Sequence, residues 1–359
     1  MSIGTVQLVG RALREQLRTA RQKRRWEADL PSLAVELWDG DVASVEFLAA
    51  GKHVVFSFRI NGQPFVIKLS PEGRRGAAEI NSETDWVNYL ASAGVPVCEP
   101  LLSVNGNYAE AVAIPGRGQF VACVNRRSLG AAVEIGNIET WPSGLIELWG
   151  SIAGRIHAAS KFFAPNPSSR FREMISEETV TLAGNILDKQ CPDILQGLTT
   201  VMESLLGLPR SPEYFGLIHG DLTPANLFIH GEQLTVIDFE TSSHCWFAYD
   251  LASPLYSILL FKEFMKTPAD RDAMLGFFRS FLTGYLRENE LPFELVARLP
   301  DFLTFLSLLN VVLFYHQDAQ NRDRYVLHAL HSVASSNRLL GETDFANVYA
   351  DVLANSSRP

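Results

Sequence analysis

The sequence predicts an α+β protein of two lobes, in which a small antiparallel β-rich lobe with one main helix precedes a larger α-helical lobe. Two lobes fit the length, because 359 residues are more than a single hydrophobic core usually organises. Short β-like runs surround an Asn-Gly pair in the first part, and apolar residues recur at helical spacing in the second. We expect a helical extension at 1–32, a small lobe at 33–125 and a large lobe at 126–359.

The elements of the small lobe have clear local signals. The Asn61-Gly62 pair lies between two β-rich runs, which is the strongest short-range signal of a hairpin. The helix that follows is expected to stop at Gly94, with Pro96 just beyond. The predicted strands are Val45–Leu48, Val54–Ile60, Phe65–Leu69 and Gln119–Val124, and the predicted helix is Arg75–Ala93.

The large lobe shows helical periodicity over Gly144–Phe162 and again over most of 251–341. Two short β-like runs interrupt the helical pattern. Leu227–Ile229 and Leu234–Phe239 flank a His-Gly pair, so we expect a second tight hairpin there.

Composition and charge exclude several classes of protein. With 47% hydrophobic and 20% charged residues, the chain is globular rather than disordered or fibrous. Its formal charge of −9 argues against nucleic acid as a partner, and no apolar run reaches the roughly 20 residues that cross a bilayer. The cysteines are far apart, as in reduced proteins, so we expect a cytoplasmic location. The basic residues near the N-terminus form either a solvated helix face or a contact for an anionic surface or partner.

The chemistry of the chain is concentrated around Asp221. Asp221 and Asn226 are separated by a short loop and Asp238 ends a predicted hairpin, so the three side chains fold back toward one point. Phosphoryl transfer needs such a cluster, because a carboxylate takes the proton of the acceptor hydroxyl and hard oxygen ligands hold Mg²⁺. We therefore predict Asp221 as the catalytic base and Asn226 with Asp238 as metal ligands. The alternative is a solvated turn whose polar side chains cap backbone groups.

This stretch reads HGDLTPAN, followed by IDF, and resembles the catalytic core of the aminoglycoside phosphotransferase and choline kinase group. FGLIHGDL, LTVIDFE and the later Tyr249-Asp250-Leu251-Ala252 look most similar to bacterial stress-response kinase A and type II homoserine kinases. The resemblance covers about residues 40 to 340. It implies the protein-kinase fold, with ATP and Mg²⁺ as cofactors and an alcohol group as acceptor.

The resemblance also implies a lysine on a strand of the small lobe that grips the α- and β-phosphates of ATP. Lys68, directly after the Asn-Gly hairpin, matches this position. A glutamate on the following helix is expected to orient the lysine. Glu79 and Glu83 share one helical face and are both candidates, and we assign Glu83 because its spacing matches the family better.

The remaining nucleotide contacts follow from chain position within the resemblance. Gly51 is the glycine at the turn where protein kinases carry G-x-G-x-x-G, and the resembling family is also glycine-poor there. Lys52 beside it either reaches a phosphate or is solvated. Backbone groups from Val124 to Arg126 are expected to receive adenine.

Several residues are expected to support the site rather than react. The resemblance implies that Asp250 braces the catalytic loop by accepting backbone N–H bonds. We expect His219 to orient the loop from beneath and His157, on the apolar face of its helix, to be a core histidine. Glu240 either touches metal or substrate or has a hydrogen-bonded structural role.

The acceptor pocket is indicated only weakly. Acidic groups would suit a cationic acceptor such as an aminoglycoside, choline or an amino-acid ammonium, although acidic loop residues are commonly just surface. Aromatic residues after the metal aspartate either line the pocket or pack in the core. The first set is a cluster expected near a helix end, Tyr315, His316, Asp318 and Asp323, of which the two aspartates are acidic, and the aromatic set is Trp246, Phe247 and Tyr249.

The sequence thus predicts a kinase that transfers the γ-phosphate of ATP to a hydroxyl of a small molecule, such as an amino acid, an amino alcohol or an aminoglycoside. Two alternatives stay open: a Ser/Thr protein kinase of the stress-response type, and a pseudokinase that binds nucleotide and serves as a scaffold. The expected partner is the small-molecule acceptor, or a protein substrate under the first alternative. The oligomeric state is left open.

Overall fold

The computed structural model describes residues 32–73, 75–134, 136, 141–187, 191–315, 322–335 and 339–356. The helical extension predicted at 1–32, with its basic residues, lies outside these ranges except for its last residue. The chain divides into two compact units. The first runs to Ala91 and includes Cys98–Ser128 and Pro165–Arg170, and the second contains Ser92–Val97, Leu129–Ala164 and the residues from Phe171 onward.

The first unit is built on one antiparallel sheet. Its strands are β1 (Asp41–Ala50), β2 (Val54–Ile60), β3 (Gln63–Pro71), β4 (Pro100–Leu101), β5 (Ala109–Ile114) and β6 (Gly118–Arg126). In the described residues the order is β1, β2, β3, β6 and β4, and β5 pairs with the first part of β6. A short helix, α1 (Ser32–Glu36), precedes the sheet, and α2 (Ala77–Ser92) follows β3.

The predicted Asn-Gly hairpin is confirmed. Ile60 pairs with Gln63 across the turn, and Asn61 and Gly62 have φ angles of 50° and 78°. Two successive positive φ angles match the right-handed twist of the flanking strands, and asparagine and glycine adopt them at low cost. The turn therefore fixes the register of β2 against β3, and with it the position of Lys68.

The core of the first unit lies on one face of this sheet. Phe65, Ile67 and Leu69 alternate along β3 and are buried in it, together with Trp38 from the residues after α1. Because successive side chains of a strand point to opposite faces, Lys68 lies on the other face, where it is half-buried. The predicted helix is confirmed as α2, two residues shorter at its start and one at its end.

The second unit is mainly helical. Its helices are α3 (Ser143–Ser160), α4 (Glu177–Leu187), α5 (Pro192–Leu206), α6 (Ala248–Met265), α7 (Arg271–Leu286), α8 (Phe293–Ala297), α9 (Leu299–Phe314), α10 (Arg322–Ser335) and α11 (Glu342–Ser356). Within the described ranges, no helix combines the length and the apolar character that a membrane crossing requires.

Short strands between α5 and α6 carry the polar motif. They are β8 (Phe215–Ile218), β9 (Leu227–His230), β10 (Gln233–Val236) and β11 (Ser243–Trp246), and β7 (Ala131–Ala132) pairs with β9. β9 and β10 form the second predicted hairpin, in which His230 pairs with Gln233. β8 pairs with β11, so the segment that begins at Asp221 lies between this two-stranded ribbon and the three-stranded sheet of β7, β9 and β10.

Helices α3 and α7 pack in close contact through glycines. A Cβ atom on Gly150 would overlap the carbonyl oxygen of Phe281, and one on Gly284 would overlap the carbonyl oxygen of Glu147. Only glycine permits the two backbones to approach this closely. This approach brings the C-terminal halves of α3 and α7 together, which matters for the site.

We predict that Gly150→Ala lowers the free energy of unfolding by about 2 kcal/mol, because the added methyl group overpacks a contact between two backbones. Gly276→Ala, also within this helix pair, is the matched control. Nothing lies within 4 Å of the Cβ it would add, so we expect it to stabilise the protein by about 0.5–1 kcal/mol through helix propensity. Urea unfolding of both variants tests this, and equal stabilities would contradict the close packing.

Candidate active site

Asp221 and Asn226 are bonded to each other directly. Asp221 follows β8, and Asn226 ends a single 3₁₀ turn, Pro224–Asn226, that leads into β9. The Asn226 Nδ2 group donates to both the backbone oxygen and Oδ2 of Asp221, at 2.9 Å each. Because the amide nitrogen is turned toward Asp221, the amide oxygen of Asn226 is the atom that remains to ligate a cation.

Asp238 is held beside Asn226 by the backbone. The N–H of Ile237 donates to the carbonyl oxygen of Asn226 at 3.0 Å, just past the end of β10. Asp238 itself has φ and ψ of 65°, a left-handed conformation that aspartate and asparagine tolerate better than most residues. The structure therefore brings Asp221 and Asn226 into direct contact and bonds the residue before Asp238 to Asn226, while the joint metal-binding role of Asn226 and Asp238 stays a prediction.

His219 lies fully buried beneath the loop and links its two sides. Its Nδ1 accepts the N–H of Asp221 at 3.1 Å, and its Nε2 lies 3.0 Å from the carbonyl oxygen of Ile237. A nitrogen that accepts carries no proton, so these contacts assign the neutral ring with the proton on Nε2. His219 thus connects the backbone of Asp221 with the backbone of Ile237, the residue before Asp238. Both ring nitrogens are occupied by these two hydrogen bonds.

Asp250, near the start of α6, is a buried acceptor for the same loop. Its Oδ2 accepts the N–H of His219 at 2.7 Å, and its Oδ1 accepts the N–H of Gly220 at 2.9 Å. His157 Nε2 lies 3.2 Å from Oδ2. Burial alone would raise the pKa of Asp250, but the hydrogen bonds that it accepts from His157 and from the Gly220 N–H lower it overall. Asp250 is therefore a buried anion.

Gly220 is required where it stands for two reasons. Its φ of +81° is rarely adopted by residues with a side chain, and a Cβ there would overlap the carbonyl oxygen of Thr241. The hydroxyl of Thr241 in turn donates to the carbonyl oxygen of His219 at 3.1 Å. The backbone at 219–220 is thus fixed by partners on both of its sides.

His157 is buried among hydrogen-bonding and aromatic partners, as expected of a core histidine. Its ring stacks on Phe247 with centroids 4.5 Å apart, and its Nδ1 lies 2.9 Å from the hydroxyl of Tyr285. Asn289 Nδ2 donates to the same hydroxyl at 2.7 Å. Tyr285 and Asn289 were not found by sequence reasoning, because a tyrosine on an apolar helix and an asparagine after it carry no local signal.

The candidate nucleotide residues lie in the first unit. Lys68 occupies the position on β3 that the sequence indicated. Glu79 Oε2 accepts the N–H of Gly76 at 3.0 Å, at the start of α2, whereas Glu83 Oε2 accepts from Arg75 at 2.5 Å. Arg75 was not anticipated, and the orienting role of Glu83 toward Lys68 stays a prediction.

The other nucleotide assignments also stay predictions, with one restriction. Gly51 lies in the β1–β2 turn, and a Cβ there would have nothing within 4 Å. Val124 pairs with both Ile67 and Leu101, inside β6. The N–H of Arg126 donates to the carbonyl oxygen of Glu99 at 2.8 Å, since β6 runs two residues further than predicted. An adenine contact at Arg126 therefore has to use a group other than this N–H.

The aromatic set proposed for the acceptor pocket belongs to the core. Trp246 and Phe247 are fully buried, and Tyr249 is 3% exposed. Of the cluster predicted near a helix end, Tyr315 is buried with the Arg322 guanidinium 4.9 Å over its ring, and Asp323 is exposed at the start of α10. His316 and Asp318 lie outside the described residues. Glu240 lies in a 3₁₀ turn, Phe239–Thr241.

The donor set suits a hard divalent cation that shares its ligands with a phosphate. In the part of the chain that the structure describes, no group of three or more His, Cys, Asp or Glu residues is arranged to hold a metal ion. An asparagine oxygen beside one aspartate is what Mg²⁺ uses when nucleotide phosphates complete its coordination. Asn226 and Asp238 fit that requirement.

The strand-borne lysine in a β-rich unit and the Asp-Asn-Asp loop in a helical unit define a phosphotransferase of the protein-kinase-like class. A comparison with family models agrees, because the model of the phosphotransferase enzyme family matches residues 44–291. The chain belongs to this family and is a kinase.

Known relatives support the same conclusion. The chain is 30% identical to amicoumacin kinase of Bacillus subtilis (strain 168) over 268 residues, which are 74% of this chain and 78% of that protein. The structure of the amicoumacin kinase hAmiN in complex with AMP-PNP, Ca²⁺ and Ami superimposes with a TM-score of 0.77 at 25% identity, covering 90% of this chain and 98% of that one. Choline kinase LicA of Streptococcus pneumoniae shares the fold, with a TM-score of 0.57 at 16% identity over 84% and 96% of the two chains. The predicted family and fold are confirmed, and the likeness to stress-response kinase A stays a prediction.

We predict that Asp250→Asn destabilises the protein by about 3 kcal/mol, because an amide cannot accept all three N–H groups that converge there. Asp272→Asn is the control, since the Asp272 side chain is 93% exposed.

The same carboxylate predicts a pH dependence of stability. Because the folded-state pKa of Asp250 is lowered, its contribution to the free energy of unfolding is present above the unfolded pKa of about 4 and is lost as the pH falls through the folded value. Urea unfolding at several acidic pH values should show this loss in the wild type and not in Asp250→Asn. If Asp250→Asn were as stable as the wild type, the role of Asp250 as the acceptor that holds the loop would be contradicted.

Proposed function

We propose that this kinase transfers the γ-phosphate of ATP to a hydroxyl of a small molecule in a Mg²⁺-dependent reaction. The observation that carries the proposal is the direct hydrogen bond between Asp221 and Asn226, with Asp238 tied beside them. A capping turn would satisfy backbone groups with these side chains. Here the amide of Asn226 bonds to the backbone oxygen of Asp221 and, in addition, to its carboxylate, which a capping role alone does not require.

Asp221 is the proposed base. The Asn226 amide and the backbone around His219 hold its carboxylate in one place, so an acceptor hydroxyl that hydrogen-bonds to it has its oxygen aimed for in-line attack. As the hydroxyl oxygen bonds to the γ-phosphorus, the bond from that phosphorus to the bridging oxygen breaks, ADP leaves, and the hydroxyl proton passes to Asp221. Positioning of this kind is most of what a protein contributes to phosphoryl transfer.

Asn226 and Asp238 are the residues that would hold the metal ion. When bound, Mg²⁺ neutralises the charge of the β- and γ-phosphates. Lys68 would bind the α- and β-phosphates of ATP, with Glu83 as the group that orients it. Gly51, Val124 and Arg126 remain the proposed contacts for the rest of the nucleotide.

The small-molecule acceptor is supported by the relatives. Amicoumacin kinase of Bacillus subtilis and the structure of hAmiN with AMP-PNP and Ca²⁺ are both named for a small-molecule acceptor. We infer for this chain a hydroxyl of an amino acid, an amino alcohol or an aminoglycoside-like compound. We also propose a cytoplasmic location, where ATP is available.

The experiment supplies purified protein with γ-labelled ATP, Mg²⁺ and two pools of acceptors. The first pool contains amicoumacin, hydroxylated amino acids, amino alcohols and aminoglycosides, and the second contains generic protein substrates. Label in a compound of the first pool is the expected result, and mass spectrometry of that compound identifies the phosphorylated hydroxyl. Label only in protein would replace the small molecule by a protein acceptor, and ATP binding without transfer would contradict the proposal.

We predict that Asp221→Asn lowers kcat by about 10²–10⁴-fold while the affinity for ATP is unchanged, because the base is lost and the phosphate contacts remain. The substitution preserves shape and still offers an oxygen to the Asn226 amide, so the protein should unfold at the same urea concentration. Asp272→Asn serves as the exposed control. A kcat of Asp221→Asn within a few-fold of the wild-type value would mean that Asp221 is not the catalytic base.

We predict that Asp238→Asn raises the Mg²⁺ concentration for half-maximal activity by at least about tenfold, because one charged ligand becomes neutral. Asparagine tolerates the left-handed backbone at this position, so the change should not strain the loop. Activity is measured at saturating ATP over a range of Mg²⁺ concentrations, beside Asp272→Asn. An unchanged Mg²⁺ requirement would mean that Asp238 is not a ligand.

A further inference from the structure

A continuous series of buried hydrogen bonds leads from α7 to the catalytic loop. Asn289 bonds to the hydroxyl of Tyr285 at 2.7 Å, Tyr285 to Nδ1 of His157 at 2.9 Å, and Nε2 of His157 to Asp250 at 3.2 Å. Asp250 then accepts the N–H groups of the loop. His157, Tyr285 and Asp250 have no exposed surface, and Asn289 is 6% exposed.

The direction of each hydrogen in this series follows from the chemistry of its members. The amide of Asn289 donates, so the oxygen of Tyr285 accepts, and the one hydroxyl hydrogen of Tyr285 is left for Nδ1 of His157. Nδ1 therefore carries no proton. The proton of the ring lies on Nε2, where it is donated to the carboxylate of Asp250.

We propose that Tyr285, oriented by Asn289, is a positioning residue of the catalytic loop that keeps His157 neutral, so that no positive charge on His157 competes with the loop N–H groups for the carboxylate of Asp250. The inference deepens the proposed function, because it concerns the support of the proposed base. It assigns a role in the reaction to two residues far in sequence from the motif.

The reason lies in what a second proton on His157 would do. An imidazolium would present an N–H to a hydroxyl hydrogen that also points at it, and relieving that conflict requires Tyr285 and Asn289 to turn together. It would also place a full positive charge against Asp250. The carboxylate would then be drawn to His157 and away from the loop.

The surroundings of the ring act in the same direction. Burial lowers the pKa of His157 and the charge of Lys161 lowers it further, while the hydrogen bond and charge of Asp250 raise it; the overall direction is downward. Burial also raises the pKa of Tyr285, so its hydroxyl keeps its hydrogen. Protonation of His157 is thus resisted by its burial and by Lys161, and only Asp250 among these groups favours it.

The test follows the ring of His157 directly by NMR of protein labelled with ¹⁵N in its histidines, with the His157 signals assigned by their loss in His157→Gln. The variants are Tyr285→Phe, which removes the hydroxyl, and Asn289→Leu, which frees the hydroxyl to turn. Tyr256→Phe is the matched control, because the buried Tyr256 hydroxyl has no hydrogen-bond partner among the described residues. The spectra need neither ATP nor an acceptor, so they test the inference even if the proposed activity is wrong.

In the wild type and in Tyr256→Phe we expect His157 to stay neutral, with its proton on Nε2, from neutral to mildly acidic pH. In Tyr285→Phe and Asn289→Leu it should take up a second proton as the pH is lowered. With an identified acceptor, kcat of Tyr285→Phe should fall about tenfold at mildly acidic pH, and less at alkaline pH, with KM for ATP unchanged. A wild-type ring protonated on Nδ1, or titration that is the same in all variants, would overturn the proposal. If Tyr285→Phe does not fold, the wild type and Asn289→Leu decide between these outcomes.

Discussion

The acceptance of two backbone N–H groups by the buried carboxylate of Asp250 is the interaction on which the rest of the site depends. His219 and Gly220 donate these bonds, and Asp221 is the next residue along the chain. A buried anion is costly unless nearby donors replace its water, and here three N–H groups do so. The loop and the anion are therefore mutually required, since neither has another way to satisfy its polar groups.

The geometry of the reactive groups follows from this brace through short backbone links. With 219–220 fixed, the ring of His219 meets the backbone at Asp221 on one side and at Ile237 on the other. Asn226 then orients the carboxylate of Asp221 with its amide nitrogen, which leaves its amide oxygen for the proposed cation. Asparagine in place of Asp221 keeps an oxygen for the Asn226 amide, and in place of Asp238 it tolerates the left-handed backbone, so these conservative changes report on chemistry rather than on folding.

Sequence reasoning predicted those parts of the molecule whose causes are local. The hairpin at Asn61-Gly62, the helix stop at Gly94 and the motif from Asp221 to Asp238 are each encoded within a few residues. The predicted adenine contact uses backbone groups from Val124 to Arg126, but the strand continues to Arg126 by pairing with Phe65 of β3, and the N–H of Arg126 is taken by Glu99, partners that are remote in sequence. The sequence does not decide whether Trp246 and Phe247 line the acceptor pocket or pack in the core, since nearness to Asp238 in sequence does not reveal which way a side chain points.

The supporting residues escaped prediction for one physical reason, which is that their partners are remote in the chain. Tyr285 acts on His157 only because Gly150 and Gly284 allow α3 and α7 to approach until their backbones touch. Considered one at a time in the sequence, these glycines are residues of low helix propensity, and the tyrosine is an ordinary candidate for the hydrophobic core. In this kinase the residues proposed to react lie in one contiguous sequence motif. The residues that support them electrostatically lie on separate helices, so their role can be recognised only once the packing of those helices is known.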